Sequence, residues 1–197
     1  MNATTATAAV FVDRDGTLIK ERGFLDRVEH LAFYPWTVDA IRALNHAGLR
    51  IVLVSNQSGI ARGLLTEAVV EEVHGRMESV LQAGGAHIDA YYYCPHHPDG
   101  NVARYAQHCD CRKPKRGLVD RAARELGIDP ARSFIVGDRW LDVGLARTVG
   151  ARGVLVRTGY GAIEEMQTPR DLAADAIVDN FAGAASWVLM NMDRPCR

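Results

Sequence analysis

The sequence predicts an α/β protein, a parallel sheet with helices on both faces, and three observations carry that expectation. Short apolar runs alternate with amphipathic stretches along the chain. The runs are continuously apolar, as in strands buried on both faces, with no polar alternation. At 197 residues, 48% apolar and 24% charged, the chain has the length and composition for one core, so a single domain over residues 1–197 is expected.

Taken in order, the first ten residues (MNATTATAAV) are small and polar, with no Lys or Arg. They read as a loose arm leading into a strand and not as a signal peptide. Val10-Phe11-Val12 is the first strand, ended by an acidic, Gly-containing turn. Thr37 to His46 reads as a helix closed by Gly48, and Arg50 to Val54 as a β-branched second strand. Thr66 is the N-cap of a long helix running to about Gln82, which Gly84-Gly85 ends. Asp89 to Tyr93 is a third strand, and Lys115 to Leu126 a helix stopped by Gly127. Ser133 to Val136, the helix Trp140 to Val149, and the strand Gly153 to Val156 follow. Ala176 to Val178 adds a weak sixth strand, and Phe181 to Met190 a closing helix. Residues 94–114 interrupt the pattern with turn residues, Cys and His, and a loop of about 20 residues needs something to hold it.

The charge balance, 23 basic against 24 acidic residues, gives no excess that would draw nucleic acid or an anionic membrane. No run of about 18 apolar residues predicts a membrane span, so a cytoplasmic protein is expected. Neither a P-loop nor a G-x-G-x-x-G pattern is present, so no nucleotide cofactor is indicated. With no spare amphipathic element, a monomer is expected. Of four cysteines, Cys94, Cys109 and Cys111 cluster, which in such a compartment points to metal before disulfides. Cys196 is expected as a free thiol on the tail.

The chemistry concentrates at strand ends. Asp13 and Asp15 directly follow the first strand, at the sheet edge where open α/β folds bind ligands. Two such close acids repel unless a cation lies between them or one is protonated, which a divalent metal or a nucleophile/general-acid division of labour provides. A capping turn would look similar in isolation. Ser55, in Ser55-Asn56-Gln57-Ser58-Gly59, offers a hydroxyl and backbone N–H groups to phosphate oxygens. Asp138 follows the fourth strand after Gly137, and Asp142 comes one helical turn later on the same face. Mg²⁺ favours this supply of one or two carboxylates with waters and substrate phosphate. Lys113 provides the positive charge that a transferring phosphoryl group needs, with Arg112 as a bidentate anion binder.

Asp13-x-Asp15-Gly16-Thr17, Ser55, Lys113 and Gly137-Asp138-x-x-x-Asp142, in this order, resemble the four motifs of the haloacid dehalogenase-like phosphatases. Longer stretches, Ser55 to Gly63, Cys94 to Pro98 and Cys109 to Pro114, look like the D-glycero-D-manno-heptose-1,7-bisphosphate 7-phosphatase branch. The resemblance covers about Phe11 to Gly159. It implies a three-layer Rossmann-like fold with a zinc-binding loop insertion, and a sugar-bisphosphate phosphatase serving nucleotide-activated heptose synthesis for lipopolysaccharide core or another surface glycan. By that resemblance Asp13 is the nucleophile, and Asp15 protonates the leaving oxygen and then activates water. Mg²⁺ is held by the Asp13 side chain, the Asp15 carbonyl and Asp138, with Asp142 behind Asp138. Ser55 and Lys113 hold the phosphoryl group. Glu21, Arg22, Gly23, Phe24, Ser55, Asn56, Gln57, Ser58, Arg112, Lys113 and Arg139 match substrate-contacting positions. This chain carries Gly23-Phe24-Leu25 where members often have Gly-Tyr-Val.

In the interrupting loop, Cys94-x-His96 and Cys109-x-Cys111 are separated by twelve residues. Three thiolates and one imidazole fill a tetrahedral site with no position open for water, the signature of structural Zn²⁺. The resemblance selects His96 over its neighbours His97 and His108. Such binding is worth about 10–16 kcal/mol in small peptides, ample to order a loop. His30, His46, His74 and His87 read as surface or helix residues. Rival functions are a histidinol-phosphate phosphatase, a phospho-aspartate receiver and a non-catalytic zinc module. The receiver requires its phosphorylated Asp after strand three, where Tyr93-Cys94 stand here.

Overall fold

The computed structural model describes residues 7–192. The expected tail thiol Cys196, and residues 1–6 of the expected N-terminal arm, lie outside the described residues. Six strands, β1 (Ala9–Val12), β2 (Arg50–Asn56), β3 (Ala90–Cys94), β4 (Phe134–Gly137), β5 (Arg152–Val156) and β6 (Ala176–Val178), form one sheet in the order β3-β2-β1-β4-β5-β6. Every pairing is parallel. The α/β parallel fold expected from the sequence is the fold observed.

Successive strand residues point to opposite faces, and both faces are apolar. Val10, Val12, Ile51, Leu53, Phe134 and Val136 bury themselves under α1 (Thr37–His46), α3 (Glu67–Ala83) and α7 (Phe181–Asn191). Their neighbours Ala9, Phe11, Val52, Val54 and Ile135 pack on the other face against α4 (Gly117–Leu126) and α5 (Trp140–Val149). Burying side chains such as these contributes about 1.5–3 kcal/mol each. Thr66 caps α3 as expected, its Oγ1 accepting from Val69 N–H at 3.3 Å. Among the described residues no helix is long and apolar enough to cross a membrane.

The differences from the sequence reading have local causes. β2 runs on through Ser55 and Asn56, so Ser55 sits in the strand and not after it. The helix expected from Lys115 starts at Gly117, because Lys115 N–H bonds Arg112 O and Gly117 N–H bonds Asp110 O, a turn that closes the cysteine loop first. Two short helices, α2 (Ser58–Ala61) and α6 (Gly161–Met166), were not expected; neither is long enough to show a period. His74 lies on α3 as read but is buried, beside Tyr91 and Tyr93.

The chain departs in opposite directions from β1 toward β2 and β4, so a crevice opens beyond the carboxyl ends of these strands. The register places Val12 opposite Leu53 and Val136. Asp13, Ser55 and Asp138 therefore emerge side by side.

Candidate active site

The end of β1 turns sharply: Asp13 N–H still bonds Val136 O at 2.9 Å, and Gly16 N–H bonds Ile19 O at 2.8 Å. Beside it Lys113, only 3% exposed, pushes its ammonium between carboxylates, 2.7 Å from Asp13 Oδ1 and 2.6 Å from Asp142 Oδ1. The ammonium also donates to Val54 O at 2.9 Å. Asn56 fixes the Lys113 backbone, accepting from its N–H at 3.0 Å and donating to its carbonyl at 3.2 Å.

Asp13, Asp138 and Asp142 are all buried, and each offers a carboxylate oxygen within 4.8 Å of the others. Asp142 reaches this point because Gly137 has no side chain; a Cβ there would lie 2.2 Å from the Asp142 carboxylate. Asp138 is seated likewise. A Cβ on Gly16 or on Gly159 would meet its Oδ2 at 2.1 Å, and that oxygen accepts from Tyr160 N–H at 2.8 Å. Gly16 and Gly159 have φ of 78° and 58°, in the left-handed region that favours glycine.

Charge explains what the cluster wants. Burial pushes the Asp138 carboxyl up to about 8, and Asp13 and Asp142 add to the rise. Burial raises Asp142 to about 6, Lys113 opposing and Asp13 adding. For Lys113 burial works against the charge, yet Asp13 and Asp142 outweigh it and hold the ammonium above its ordinary range. Three carboxylates against one ammonium leave a formal excess of two negative charges, and Asp142 Oδ2 has no hydrogen-bond partner among the described residues. A divalent cation with oxygen ligands fits that deficit.

In front of the cluster is a cleft of about 250 Å³. Its walls include Asp13, Asp15, Glu21, Gly23, Phe24, Ser55, Asn56, Gln57, Ser58, Arg112, Lys113, Asp138 and Arg139. Of the residues matched to substrate contact, only Arg22 is not in this lining, and it is exposed. Asp142 lies beneath. Burial, with Asp15 and Asp13 adding, raises the Glu21 carboxyl above its ordinary range.

Other wall residues were not legible beforehand. Gly59, Leu141 and Tyr160 also line the cleft. Arg139 lies 4.3 Å over the Tyr160 ring and 3.6 Å from Glu164, which itself accepts from Trp140 N–H at 2.9 Å. Tyr160 and Glu164 come from the segment after β5, which has no motif to announce it. Arg14, fully buried inside the acidic motif, holds Asp15 through Nε at 3.0 Å and Nη2 at 3.1 Å.

The second cluster sits in the long loop. Cys94, Cys109 and Cys111 are free thiols that gather with His96 into one group with ligand atoms within 4.8 Å. Sγ of Cys94 lies 3.5 Å from Cys109 Sγ and 3.2 Å from Cys111 Sγ, and His96 Nδ1 is 3.3 Å from Cys111 Sγ. A tetrahedron with metal–sulfur bonds of about 2.3 Å has edges of about 3.8 Å, so the set contracts slightly from what such an ion would span. Hydrogen bonding between Cys94 and Cys111 pulls the Cys111 thiol down to about 5 and pushes the Cys94 thiol up. His97 instead meets Arg62 at 3.2 Å and does not join this group. Lys115 is exposed and donates to Cys109 O at 2.8 Å.

Comparison with known proteins then decides the family. Family models described as HAD-hydrolase-like and as polynucleotide kinase 3 phosphatase match residues 110–184 and 8–143. A D-glycero-beta-D-manno-heptose-1,7-bisphosphate 7-phosphatase from Yersinia pestis is 40% identical over 178 residues, covering 89% of this chain and 94% of that protein. The chain belongs to this family of HAD-like phosphatases. The same-named protein of Escherichia coli K12 is also 40% identical, over 87% of this chain and 90% of its own length. The crystal structure of a D,D-heptose 1,7-bisphosphate phosphatase from B. bronchiseptica, complexed with magnesium and phosphate, superposes with a TM-score of 0.83 at 32% identity, covering 93% of this chain and 99% of that one. The protein is thus a phosphoric monoester hydrolase of the HAD-like class.

Proposed function

We propose that this phosphatase removes the 7-phosphate from D-glycero-beta-D-manno-heptose 1,7-bisphosphate, with Asp13 as nucleophile. The observation that carries the reading is the buried Lys113 ammonium set between Asp13 and Asp142 at the floor of the cleft. A carboxylate beside a fixed cation can receive a phosphoryl group whose equatorial oxygens that cation also attracts.

An Asp13 oxygen attacks phosphorus as the bond to the sugar oxygen breaks, and the leaving alkoxide takes a proton from Asp15. Asp15, now a carboxylate, takes a proton from water as that water attacks the phosphoaspartate, which frees phosphate and restores Asp13. Ser55 and Lys113 hold the phosphoryl oxygens through both steps. Arg112 and Arg139, on the cleft wall, are cations available to the rest of a doubly phosphorylated substrate, and Glu21 to Phe24 with Asn56 to Ser58 line the sugar. Asp13, the Asp15 carbonyl and Asp138, with Asp142 behind, would hold Mg²⁺, which would supply Lewis-acid charge neutralisation. Zn²⁺ bound by Cys94, His96, Cys109 and Cys111 is structural, since the four ligands leave no open position.

Relatives of this name at about 40% identity over most of both chains support the substrate. The match to a polynucleotide phosphatase model motivates one alternative, which the net charge of −1 does not favour. A steady-state comparison of beta and alpha heptose bisphosphate, histidinol phosphate and a 3′-phosphorylated oligonucleotide tests the reading. The highest kcat/KM is expected on the beta heptose bisphosphate. A higher value on histidinol phosphate or the oligonucleotide overturns the substrate.

A further inference from the structure

The proposed mechanism uses Asp15 but not the residue between the two acids of its motif. Arg14 is the largest fully buried side chain among the described residues, 1% exposed, and it points away from the nucleophile's partners toward Asp15 and Gln57. Burying a guanidinium is costly unless each charge-bearing group is matched, so its placement calls for a reason. Surface geometry would serve a mere structural counter-ion equally well.

The hydrogen bonds supply that reason. Arg14 Nε donates to Asp15 Oδ2 at 3.0 Å and Nη2 donates to Asp15 Oδ1 at 3.1 Å, the two-pronged pairing that fixes a carboxylate plane. Nη2 uses its other hydrogen on Gln57 Oε1 at 3.0 Å. Gln57 Nε2 completes a ring by donating to Asp15 Oδ2 at 3.0 Å, and it also donates to Ser55 Oγ at 2.7 Å. The amide orientation follows from its neighbours, since its oxygen faces a guanidinium and its NH₂ a carboxylate.

An ionised carboxylate has about four acceptor sites. Three of those of Asp15 are taken, two on Oδ2 and one on Oδ1. The site left over belongs to Oδ1, while the side chain remains 22% exposed on the cleft wall. We propose that Arg14 and Gln57 are positioning residues that clamp the Asp15 carboxylate, leaving one site on Oδ1 as the point of proton exchange with the leaving group and then with water. The inference rests on the acid/base role proposed above for Asp15. Arg14 does not touch the substrate; it acts through Asp15. Behind the clamp, Arg14 Nη1 has no hydrogen-bond partner among the described residues, so the guanidinium spends its bonding capacity on the Asp15 side.

Leaving-group dependence separates this role from a structural one. A sugar alkoxide needs a proton as it departs, whereas p-nitrophenolate does not. kcat/KM reports only the steps through phosphoryl transfer to Asp13, so it isolates the acid role. For Arg14→Lys, which keeps the charge and loses the fork, kcat/KM on the sugar bisphosphate is expected to fall about a hundredfold, the ordinary worth of a placed general acid. On p-nitrophenyl phosphate the same variant is expected to stay within about fivefold of wild type, because that leaving group draws nothing from this effect. Arg14→Met, which removes the charge and the fork and keeps the stem, should show the same selectivity with a loss at least as large, and it stands in if Arg14→Lys does not fold. Equal losses on both substrates, or no loss on either, overturn the clamp. Asp15→Asn is the reference: a selective loss there without one in Arg14→Lys or Arg14→Met sinks only the clamp. Absence of selectivity in Asp15→Asn itself sinks the acid assignment beneath it.

Discussion

Two clusters of ligand-type side chains, drawn from different stretches of the chain, differ in every respect that matters chemically. The thiol group of Cys94, His96, Cys109 and Cys111 is partly exposed, and its four donors match one tetrahedral ion. The acidic group of Asp13, Asp138 and Asp142 is wholly buried and carries a lysine inside it. One set is saturated and the other is left in deficit at the mouth of a cleft. The contrast teaches how to tell a brace from a reaction centre without a bound ion, by counting donors against charge. Lys113 joins them, two residues beyond the last thiol and at the heart of the acids.

The contrast breaks most sharply at Asp13. Asp13→Asn is expected to lower kcat by about 10⁴-fold or more while bound zinc and melting temperature stay unchanged, as phosphate release, metal analysis and thermal unfolding will register. Lys113→Met comes next. It removes the cation that bridges Asp13 and Asp142 and should cost about 10²–10³-fold in kcat, with the folded state retained. Cys109→Ala attacks the brace instead. Loss of one zinc ligand should lower the melting temperature and, by displacing Arg112 and Lys113, cost about 10²-fold in kcat. If activity survives removal of zinc, the loop does not position Lys113. Asn56→Ala cuts the tie between loop and strand and should cost about tenfold in kcat, because the hydrogen bonds lost are worth about 1 kcal/mol each.

The smallest effect is on stability and separates the clusters by sign. In protein stripped of divalent ions, Asp142 and Asp138 titrate at about 6 and about 8, above the ordinary carboxylate 3.8. The stability they contribute is complete below the unfolded value and is lost as pH rises through these two values. Thermal unfolding should show the metal-free protein losing melting temperature from about pH 4 to pH 8, most steeply below about pH 6 where both acids contribute, by about 2–4 °C for each kcal/mol of stability lost, with Mg²⁺ abolishing the slope. The thiol cluster behaves oppositely, releasing its metal on acidification. A flat profile for the metal-free protein refutes the buried acidic deficit.

Much of this was readable from residue order. Asp13, Asp15, Ser55, Lys113 and Asp138 each mark a strand end or follow a run of thiols, and continuous apolar strands put those ends on one edge. What stayed hidden depends on partners distant in sequence. Asp142 reads as one turn beyond Asp138, yet its closest charge is Lys113, brought there by the folded loop. Arg14 looks like a spacer between two acids, and only the burial of β1's end shows where it points. Tyr160 and α6 escaped because a six-residue helix has too few turns for periodicity to register. His74 sits on a helix, as read, but its burial beside Tyr91 is set by how α3 meets the sheet, and that burial, with Arg14 nearby, pushes its imidazole down to about 3.

The seat of Asp138 has a consequence for turnover. Gly16 and Gly159 confine the same carboxylate oxygen by contributing no methyl group, each held at positive φ. The acid's seat therefore exists only while both positions lack a side chain, and it is built into the fold whether or not the cleft is filled. An alanine at either place would evict the carboxylate, so two residues without side chains set the idle state of the enzyme.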